Sequence, residues 1–164
     1  VTDTAGQKQT ATTSRVVTNK PLRVEVVPES GRLVRDVPNV VYLMARYADG
    51  RPAQARIAVA GSSEELQTSA LGLAIIEITP KTEKHPLSLQ ATDRNGITCS
   101  RQVTLECGPP TGDFLLRTDK AVYTGGETMQ ITVIGGGVDP VFLDFLKDGQ
   151  VMLTQSVSIA GGRG

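Results

Sequence analysis

Hydrophobic and polar residues alternate along most of the chain, in short runs broken by glycine, proline, asparagine or aspartate. A period of two is typical of β-strands with one buried face, and no stretch shows the period of an amphipathic helix. The pattern predicts seven strands between Leu22 and Cys107. Their predicted bounds are Leu22–Val27, Asn39–Tyr47, Ala55–Ala60, Leu66–Ser69, Leu73–Thr79, Leu87–Thr92 and Ile97–Cys107.

The alternation also assigns faces to these strands. Apolar side chains at every second position predict a core between two sheets, and the polar side chains between them should face water. The predicted core includes Ala55, Ile57, Val59, Ala74, Ile76, Ile78, Leu87, Leu89, Ala91, Ile97, Val103 and Leu105. The side chains predicted to face water include Ser88, Gln90, Thr98, Ser100 and Thr104. Seven short strands in about 86 residues are typical of an immunoglobulin-like β-sandwich.

The joints between the strands carry residues suited to turns. Asp49-Gly50 and Asn95-Gly96 supply residues that tolerate a positive φ, which tight turns require. Three prolines are expected beside strands, where a missing amide donor does little harm. They are Pro38, Pro52 and Pro86.

A five-residue motif occurs twice, about ninety residues apart. Thr2-Asp3-Thr4-Ala5-Gly6 recurs as Thr92-Asp93-Arg94-Asn95-Gly96, and each copy is followed by a polar stretch, a proline joint and a short apolar strand. A fixed period of this length indicates tandem domains. We therefore expect an excised piece of a longer array. Residues 1–20 would be the final hairpin of one β-sandwich, 21–110 a complete sandwich and 111–164 the N-terminal part of a further one.

The last unit is predicted to contain four strands and to be truncated. Its hairpin turn is predicted at Asp148-Gly149, and an incomplete sandwich should expose apolar side chains and an open sheet edge. The predicted strands are Phe114–Arg117, Met129–Ile134, Val141–Leu146 and Val151–Ile159.

Composition excludes several classes of function. The chain has 164 residues with 17 Lys+Arg and 17 Asp+Glu, and this zero net charge gives no attraction to nucleic acid or to an anionic surface. Aromatic residues make up 4% and tryptophan is absent, which disfavours a stacking platform for sugars or bases. No apolar run approaches the eighteen or so residues that a membrane-spanning helix needs.

The residues that most often carry chemistry are too few and too scattered to form a site. His85 is the only histidine and is predicted to lie in a surface loop. Without a second histidine or a nearby cysteine it makes no metal site, and as the only candidate base it makes a catalytic triad improbable. Glu64-Glu65 is interpreted as a solvated turn, Gly135-Gly136-Gly137 as a flexible connection and Asp93-Arg94-Asn95-Gly96 as a hairpin turn rather than a calcium loop. Several serines could serve as nucleophiles only beside a base, and His85 is the one candidate. They are Ser14, Ser62, Ser63 and Ser100. We predict no catalytic, cofactor-binding or metal-binding residue and no cofactor, and hence no enzyme.

Cys99 and Cys107 lie on one predicted strand. Eight strand residues span roughly 26 Å, whereas the Cα atoms of a disulfide lie about 4.4–6.8 Å apart. A direct bridge would fold the strand back on itself, so we expect two small buried side chains, with Cys107 the one placed to pair outside this piece.

Three stretches of the sequence resemble parts of macroglobulin-like domains in the alpha-2-macroglobulin family. Residues 116–133, which contain Asp119-Lys120, Tyr123 and Gly126-Glu127, are similar to the opening "TDKxxYxPGExVxxxV", although Gly125 replaces the usual proline. Residues 42–53 resemble the "Y-x-D-G-x-P" crossing between the second and third strands. Residues 87–93 resemble the late strand before the closing hairpin.

The resemblance implies a function for the parent protein and a scaffolding role for this piece. Members of the family trap proteases through an exposed bait segment and, in many members, a Cys–Gln thioester. The chain contains no such thioester sequence. It would be a rigid frame of the kind that precedes the bait segment, with neighbouring domains as its partners and proteases as partners of the intact protein. Within the family the chain resembles the bacterial branch, whose members lie outside the cytoplasm. The resemblance therefore implies an extracytoplasmic location. Two alternatives remain open: an immunoglobulin-like stalk of a bacterial adhesin or surface protein, and an accessory carbohydrate-binding domain of a secreted hydrolase.

Overall fold

The computed structural model describes residues 5–8, 10–15, 17–108, 113–135 and 140–164, which form eleven β-strands and no helix. Every strand pairing is antiparallel. The strands are β1 (Leu22–Pro28), β2 (Asn39–Tyr47), β3 (Ala55–Val59), β4 (Glu65–Gln67), β5 (Leu73–Ile78), β6 (Lys84–Asp93), β7 (Thr98–Glu106), β8 (Phe114–Thr118), β9 (Ile131–Gly135), β10 (Val141–Lys147) and β11 (Gln150–Val157). The prediction of an all-β chain is confirmed.

The first seven strands form two sheets around one core. The order is β1-β2-β5 in one sheet and β4-β3-β6-β7 in the other. The chain changes sheets after β2 and again on either side of β5, so both sheets supply apolar side chains to the same cluster. The largest fully buried side chains in that cluster include Leu22, Leu33, Leu43 and Ile57.

The predicted faces are confirmed in detail. Every predicted core residue belongs to the cluster or packs against it, including the partly buried Ile97 and Val103. Gln90, Thr98, Ser100 and Thr104 are exposed, whereas Ser88 is half-buried. Side-chain alternation alone was sufficient here because each strand has one face on the core.

Five strand starts differ from the prediction: β7, β9 and β11 begin within two residues of it, and the differences in β4 and β6 move residues from the places that the sequence predicts. β6 begins at Lys84, so His85 and Pro86 lie inside a strand and not in a loop or beside it. β3 pairs with β6 only as far as Leu89, so Pro86 has a β-sheet neighbour on one side alone and its missing amide donor costs no pairing. β4 begins at Glu65, which is therefore a strand residue and not part of a turn.

The glycine turns form as predicted, with one change of detail. Asp148 and Gly149 both have positive φ (52° and 79°), the conformation of a type I′ hairpin turn. In Asn95-Gly96 only the glycine has positive φ, at 79°. In the earlier copy of the motif Gly6 has a φ of 81°, close to that of Gly96, although Thr2, Asp3 and Thr4 lie outside the described residues.

The segments flanking the sandwich are built differently. The described residues before Pro21 belong to none of the eleven strands and are mostly exposed, so the N-terminal hairpin stays a prediction. After the sandwich, β8 pairs with β9 and β10 with β11 in separate two-stranded sheets. Several large apolar side chains there are exposed. They include Leu116, Phe142, Leu146, Met152 and Leu153. The division into a complete and a truncated unit stays a prediction.

Candidate functional site

Among the residues with nominal catalytic chemistry, Ser62, Glu64 and His85 line one cleft, but among the residues that the structure describes no hydrogen bond joins His85 to Ser62 or Glu64. His85 is a half-buried residue of β6, and Glu64 and Glu65 are exposed. Glu65 pairs weakly with Arg56 across 3.9 Å. Within the described part of the chain, no group of three or more His, Cys, Asp or Glu side chains is placed to hold a metal ion. Gly136 and Gly137 lie outside the described residues, whereas Gly135 ends β9.

The Asp93 turn is a structural hydrogen-bond centre. The Asp93 carboxylate accepts hydrogen bonds from the backbone amides of Asn95 (2.9 Å) and Ile97 (2.8 Å) and from the Tyr47 hydroxyl (2.8 Å). Burial raises the pKa of Asp93, but these hydrogen bonds outweigh burial and hold it below its usual range. The bond to Asp93 raises the pKa of Tyr47. This carboxylate fastens the β6–β7 hairpin to β2, and its oxygens are occupied by protein donors.

The two cysteines are free thiols on or beside β7. Cys99 lies opposite Ala91 in the β6–β7 pairing, and Cys107 forms a parallel bridge with Leu33. Burial raises the pKa of the Cys107 thiol, which disfavours the thiolate. The strand between them is continuous and extended, as the spacing predicted.

The motif around Asp119 folds into a self-contained loop, which we call the motif loop (residues 118–130). The Asp119 carboxylate accepts hydrogen bonds from the Tyr123 hydroxyl (2.6 Å) and the Gln130 amide (2.8 Å). The Tyr123 hydroxyl in turn accepts one from the Lys120 amide at 2.9 Å. Hydrogen bonding to Tyr123, then to Gln130, lowers the pKa of Asp119. Each of these side chains therefore has a structural role in closing the loop between β8 and β9.

The second acidic residue of the motif completes the same loop. Glu127 accepts a hydrogen bond from the Thr124 amide at 3.1 Å and pairs with the Lys120 ammonium at 3.1 Å. These two contacts lower the pKa of Glu127. Lys120 also lies 5.8 Å from the centre of the Tyr123 ring. The spacing of Asp-Lys, Tyr and Gly-Glu in the motif thus corresponds to one closed network of contacts.

The second motif forms the crossing from one sheet to the other. β2 ends at Tyr47, the chain turns through Asp49-Gly50, and the Tyr47 amide donates a hydrogen bond to the Arg51 carbonyl at 2.8 Å. The Arg51 guanidinium pairs with Asp49 at 2.7 Å and lies 5.9 Å from the Tyr47 ring centre. The residues of this motif are likewise occupied by the turn itself.

β8 is held against the sandwich by contacts that we call the joint. Its apolar part consists of Val34 and Val37, from the loop between β1 and β2, and Leu115 and Ile134, from β8 and β9. Leu115 is only 1% exposed. This small cluster is separate from the main core of the sandwich. It is a buried contact between the sandwich and the strands that follow it.

One buried asparagine shapes the loop that carries the joint. The Asn39 side chain is fully buried, accepts a hydrogen bond from the Val34 amide (2.7 Å) and donates to the carbonyls of Val34 (2.8 Å) and Val37 (2.7 Å). A buried amide with all these partners fixes the backbone around it. Asn39 therefore holds both valines in the position from which they contact Leu115.

An ion pair closes the joint on one side. The Arg117 guanidinium donates two hydrogen bonds to the Glu29 carboxylate, one of them 2.8 Å from Nε to Oε2, and a third to the Pro38 carbonyl at 2.8 Å. Glu29 also accepts a bond from the Val40 amide at 2.7 Å. Burial raises the pKa of Glu29, but the bonds from Arg117 and Val40 outweigh burial and lower it. A two-pronged arginine–carboxylate contact of this kind fixes orientation as well as distance.

A second pair closes the joint where the chain leaves the sandwich. Arg32 donates to Asp113 at 2.9 Å, and Asp113 is 8% exposed. The other Asp113 oxygen lies so close to Gly108 that a Cβ added there would be 1.5 Å from it. The Gly108 amide bonds to the Leu33 carbonyl at 2.9 Å. The sandwich end, the β1–β2 loop and the start of β8 are therefore in direct contact.

No family model matches the chain, and no curated protein matches it. No helix among the described residues is long and apolar enough to cross a membrane.

Proposed function

We propose that the chain is a structural scaffold of an extracytoplasmic, alpha-2-macroglobulin-like protease-trapping protein and carries no trapping chemistry of its own. The observation that carries the proposal is the motif loop. The residues that resemble the family's opening motif, Asp119, Lys120, Tyr123 and Glu127, contact one another in one network. The resemblance therefore concerns residues that act together in the fold.

The strand order supports an immunoglobulin-like or macroglobulin-like sandwich. Strands β1, β2 and β5 share one sheet while β3, β6 and β7 share the other, as strands A, B, E and C, F, G do in immunoglobulin domains. The fourth strand pairs with β3 and not with β5, which distinguishes the chain from the constant-type arrangement. The crossing at Asp49-Gly50 occupies the position that the second motif implies.

The joint supports a mechanical role. A scaffold that transmits a rearrangement needs neighbouring units whose orientation is fixed by specific contacts rather than by a free linker. Two ion pairs and a small apolar cluster hold β8 to the sandwich. The acidic residues in these contacts and in the motif loop bond to protein groups, which is why we assign them to architecture and not to catalysis.

The test of the proposal is the gene beyond Gly164. A downstream Cys-Gly-Glu-Gln segment, after a flexible stretch and more β-rich units, is the expected result. Further ninety-residue repeats ending in a surface anchor, without such a segment, would instead support the adhesin stalk. That alternative is supported by the repeated motif that ends at Gly6 and at Gly96, because a repeat of this period fits any tandem array.

A second experiment tests the absence of trapping chemistry in this piece. The purified 164-residue chain is incubated with trypsin at equimolar and tenfold excess, and residual protease activity is measured. We expect full trypsin activity apart from ordinary competition by cleavable substrate. Stoichiometric inhibition would refute a purely scaffolding role.

A further inference from the structure

β5 is an open edge of the three-stranded sheet. It pairs with β2 alone, and the hydrogen bond from the Ala45 amide to the Gly72 carbonyl (2.8 Å) sets which residues face that partner. In an antiparallel pair, alternate residues turn their backbone groups to opposite sides. Ala74, Ile76 and Ile78 therefore face β2, and the backbone N–H and C=O of Ile75 and Glu77 face outward.

These outward groups have no backbone partner among the described residues. The start of the edge is closed, because the Ser69 amide donates to the Leu73 carbonyl at 2.8 Å. No comparable bond reaches Ile75 or Glu77. A strand edge with free donors and acceptors is the template on which another strand pairs.

A cleft with both apolar and polar lining runs beside the same edge. It has a volume of about 380 Å³ and is lined in part by Val59, Leu66, Ile76 and Leu87. It opens because the β3–β6 pairing ends at Leu89, with one further bond from the Ala60 amide to the Ser88 carbonyl at 2.9 Å, so residues 84–87 have no strand on the cleft side. Side chains entering the cleft would meet the margin of the main core.

The charge around the cleft is acidic. Glu64 and Glu77 lie in its lining, and His85 is the only other titratable group there. Neither carboxylate forms a direct ion pair with the described residues, but Glu77 lies close enough to Arg117 to help raise the pKa of that guanidinium. The side chain of Glu77 lies on the outer face of the sheet, where Ile75 is 54% exposed. A basic side chain pairing beside Glu77 would complement this edge.

We propose that the β5 edge accepts an extended peptide strand in which apolar and basic side chains alternate. Its backbone pairs with Ile75 and Glu77, its apolar side chains enter the cleft, and its basic side chains lie on the outer face near Glu77. Main-chain pairing supplies affinity and alternate side chains supply selectivity in this mode of recognition. The inference rests on the sandwich alone and is independent of the proposed scaffolding role.

The test uses the 164-residue chain and two capped heptapeptides, one alternating valine with lysine and one alternating valine with glutamate. Amide hydrogen exchange and NMR chemical shifts of Ile75 and Glu77 report pairing. We expect the lysine peptide to slow exchange at both amides by about tenfold or more at saturation, and the glutamate peptide to bind about tenfold more weakly.

Three variants make the test specific. Ile75→Pro removes an outward amide that has no partner in the sheet, so the fold should persist while binding is lost. Glu77→Lys should reverse the preference between the two peptides. Glu25→Lys, an equal change of charge on the exposed face of β1, should leave it unchanged.

Three results would overturn the inference. One is the absence of any change at Ile75 and Glu77 with millimolar peptide. Another is undiminished binding by a folded Ile75→Pro variant. The third is protection that rises with protein concentration when no peptide is present, since the occupant of the edge would then be a second copy of the chain.

Discussion

Removing Arg117 should loosen β8 and β9 from the sandwich while leaving the sandwich intact. Arg117→Met keeps most of the apolar stem and deletes the guanidinium that bonds to Glu29 and to the Pro38 carbonyl. The two side chains of the pair are 28% and 15% exposed, so the contact lies between a surface pair and a buried one. Surface pairs contribute about 0–1 kcal/mol, and breaking a buried pair costs about 3–5 kcal/mol.

The partial exposure places the expected cost at about 2 kcal/mol, since Glu29 retains its bond from the Val40 amide. That cost corresponds to roughly 30-fold faster amide exchange in β8 and β9. A double-mutant cycle with Glu29→Gln should give a coupling energy of about 1–2 kcal/mol. Amides in the β3–β6 pairing should keep their wild-type exchange rates, because the main core does not include Arg117.

The control is Lys81→Met, which removes a pair with Asp36 whose side chains are 73% and 61% exposed. Its effect on exchange should be within about twofold, as for other exposed pairs. Unchanged exchange in β8 and β9 of Arg117→Met would refute the joint as an energetic contact. Equal acceleration in β3 and β6 would refute its independence from the sandwich core.

Three further predictions concern the core, the joint and pH. Gly72→Ala places a Cβ 2.3 Å from a β2 carbonyl at φ +74° and should cost more than about 3 kcal/mol in denaturant unfolding. The matched Gly50→Ala, at φ +87° in open space, should cost about 1 kcal/mol; equal costs would contradict the close approach. Gly108→Ala should displace Asp113 and accelerate exchange in β8 and β9 only, and a rigid joint in that variant would show that the 1.5 Å approach is not maintained. Because the folded pKa of Glu29 is lowered from 4.5, its stabilisation is complete above that value and is lost as the pH falls through the lowered pKa. The joint should therefore open in acid in the wild type, and Glu29→Gln should lessen that dependence; an identical pH profile in the two proteins would contradict the assignment.

The sandwich was predictable from alternation because its strands each have one face on the core. The predicted β2 has the observed bounds, Asn39–Tyr47, and β1, β3 and β5 end within one residue of prediction. Such agreement follows from a period-two signal that is fixed by burial. The start of β6 was missed because Pro86 is typical of a strand border, and only the absence of a neighbour on one side makes it tolerable inside the strand.

The joint was not predictable from the sequence. Glu29 and Arg117 are 88 positions apart, and Arg32 and Asp113 are 81 apart, so no spacing rule connects them. The sequence pattern indicates only that Asn39 begins a strand, whereas its fully buried side chain organises the loop that contacts β8. A single available signal was the polar asparagine at a position whose alternation places it on the core side, where a buried amide needs several partners.

The central claim, that the sandwich and the following strand pair form one fixed frame, is tested most directly by residual dipolar couplings of the wild-type chain in a weakly aligning medium. Couplings from residues 22–108 and 113–135 should fit a single alignment tensor. Two tensors of clearly different magnitude or orientation would show that the units move independently, and would contradict the account of the joint and of the scaffold built on it.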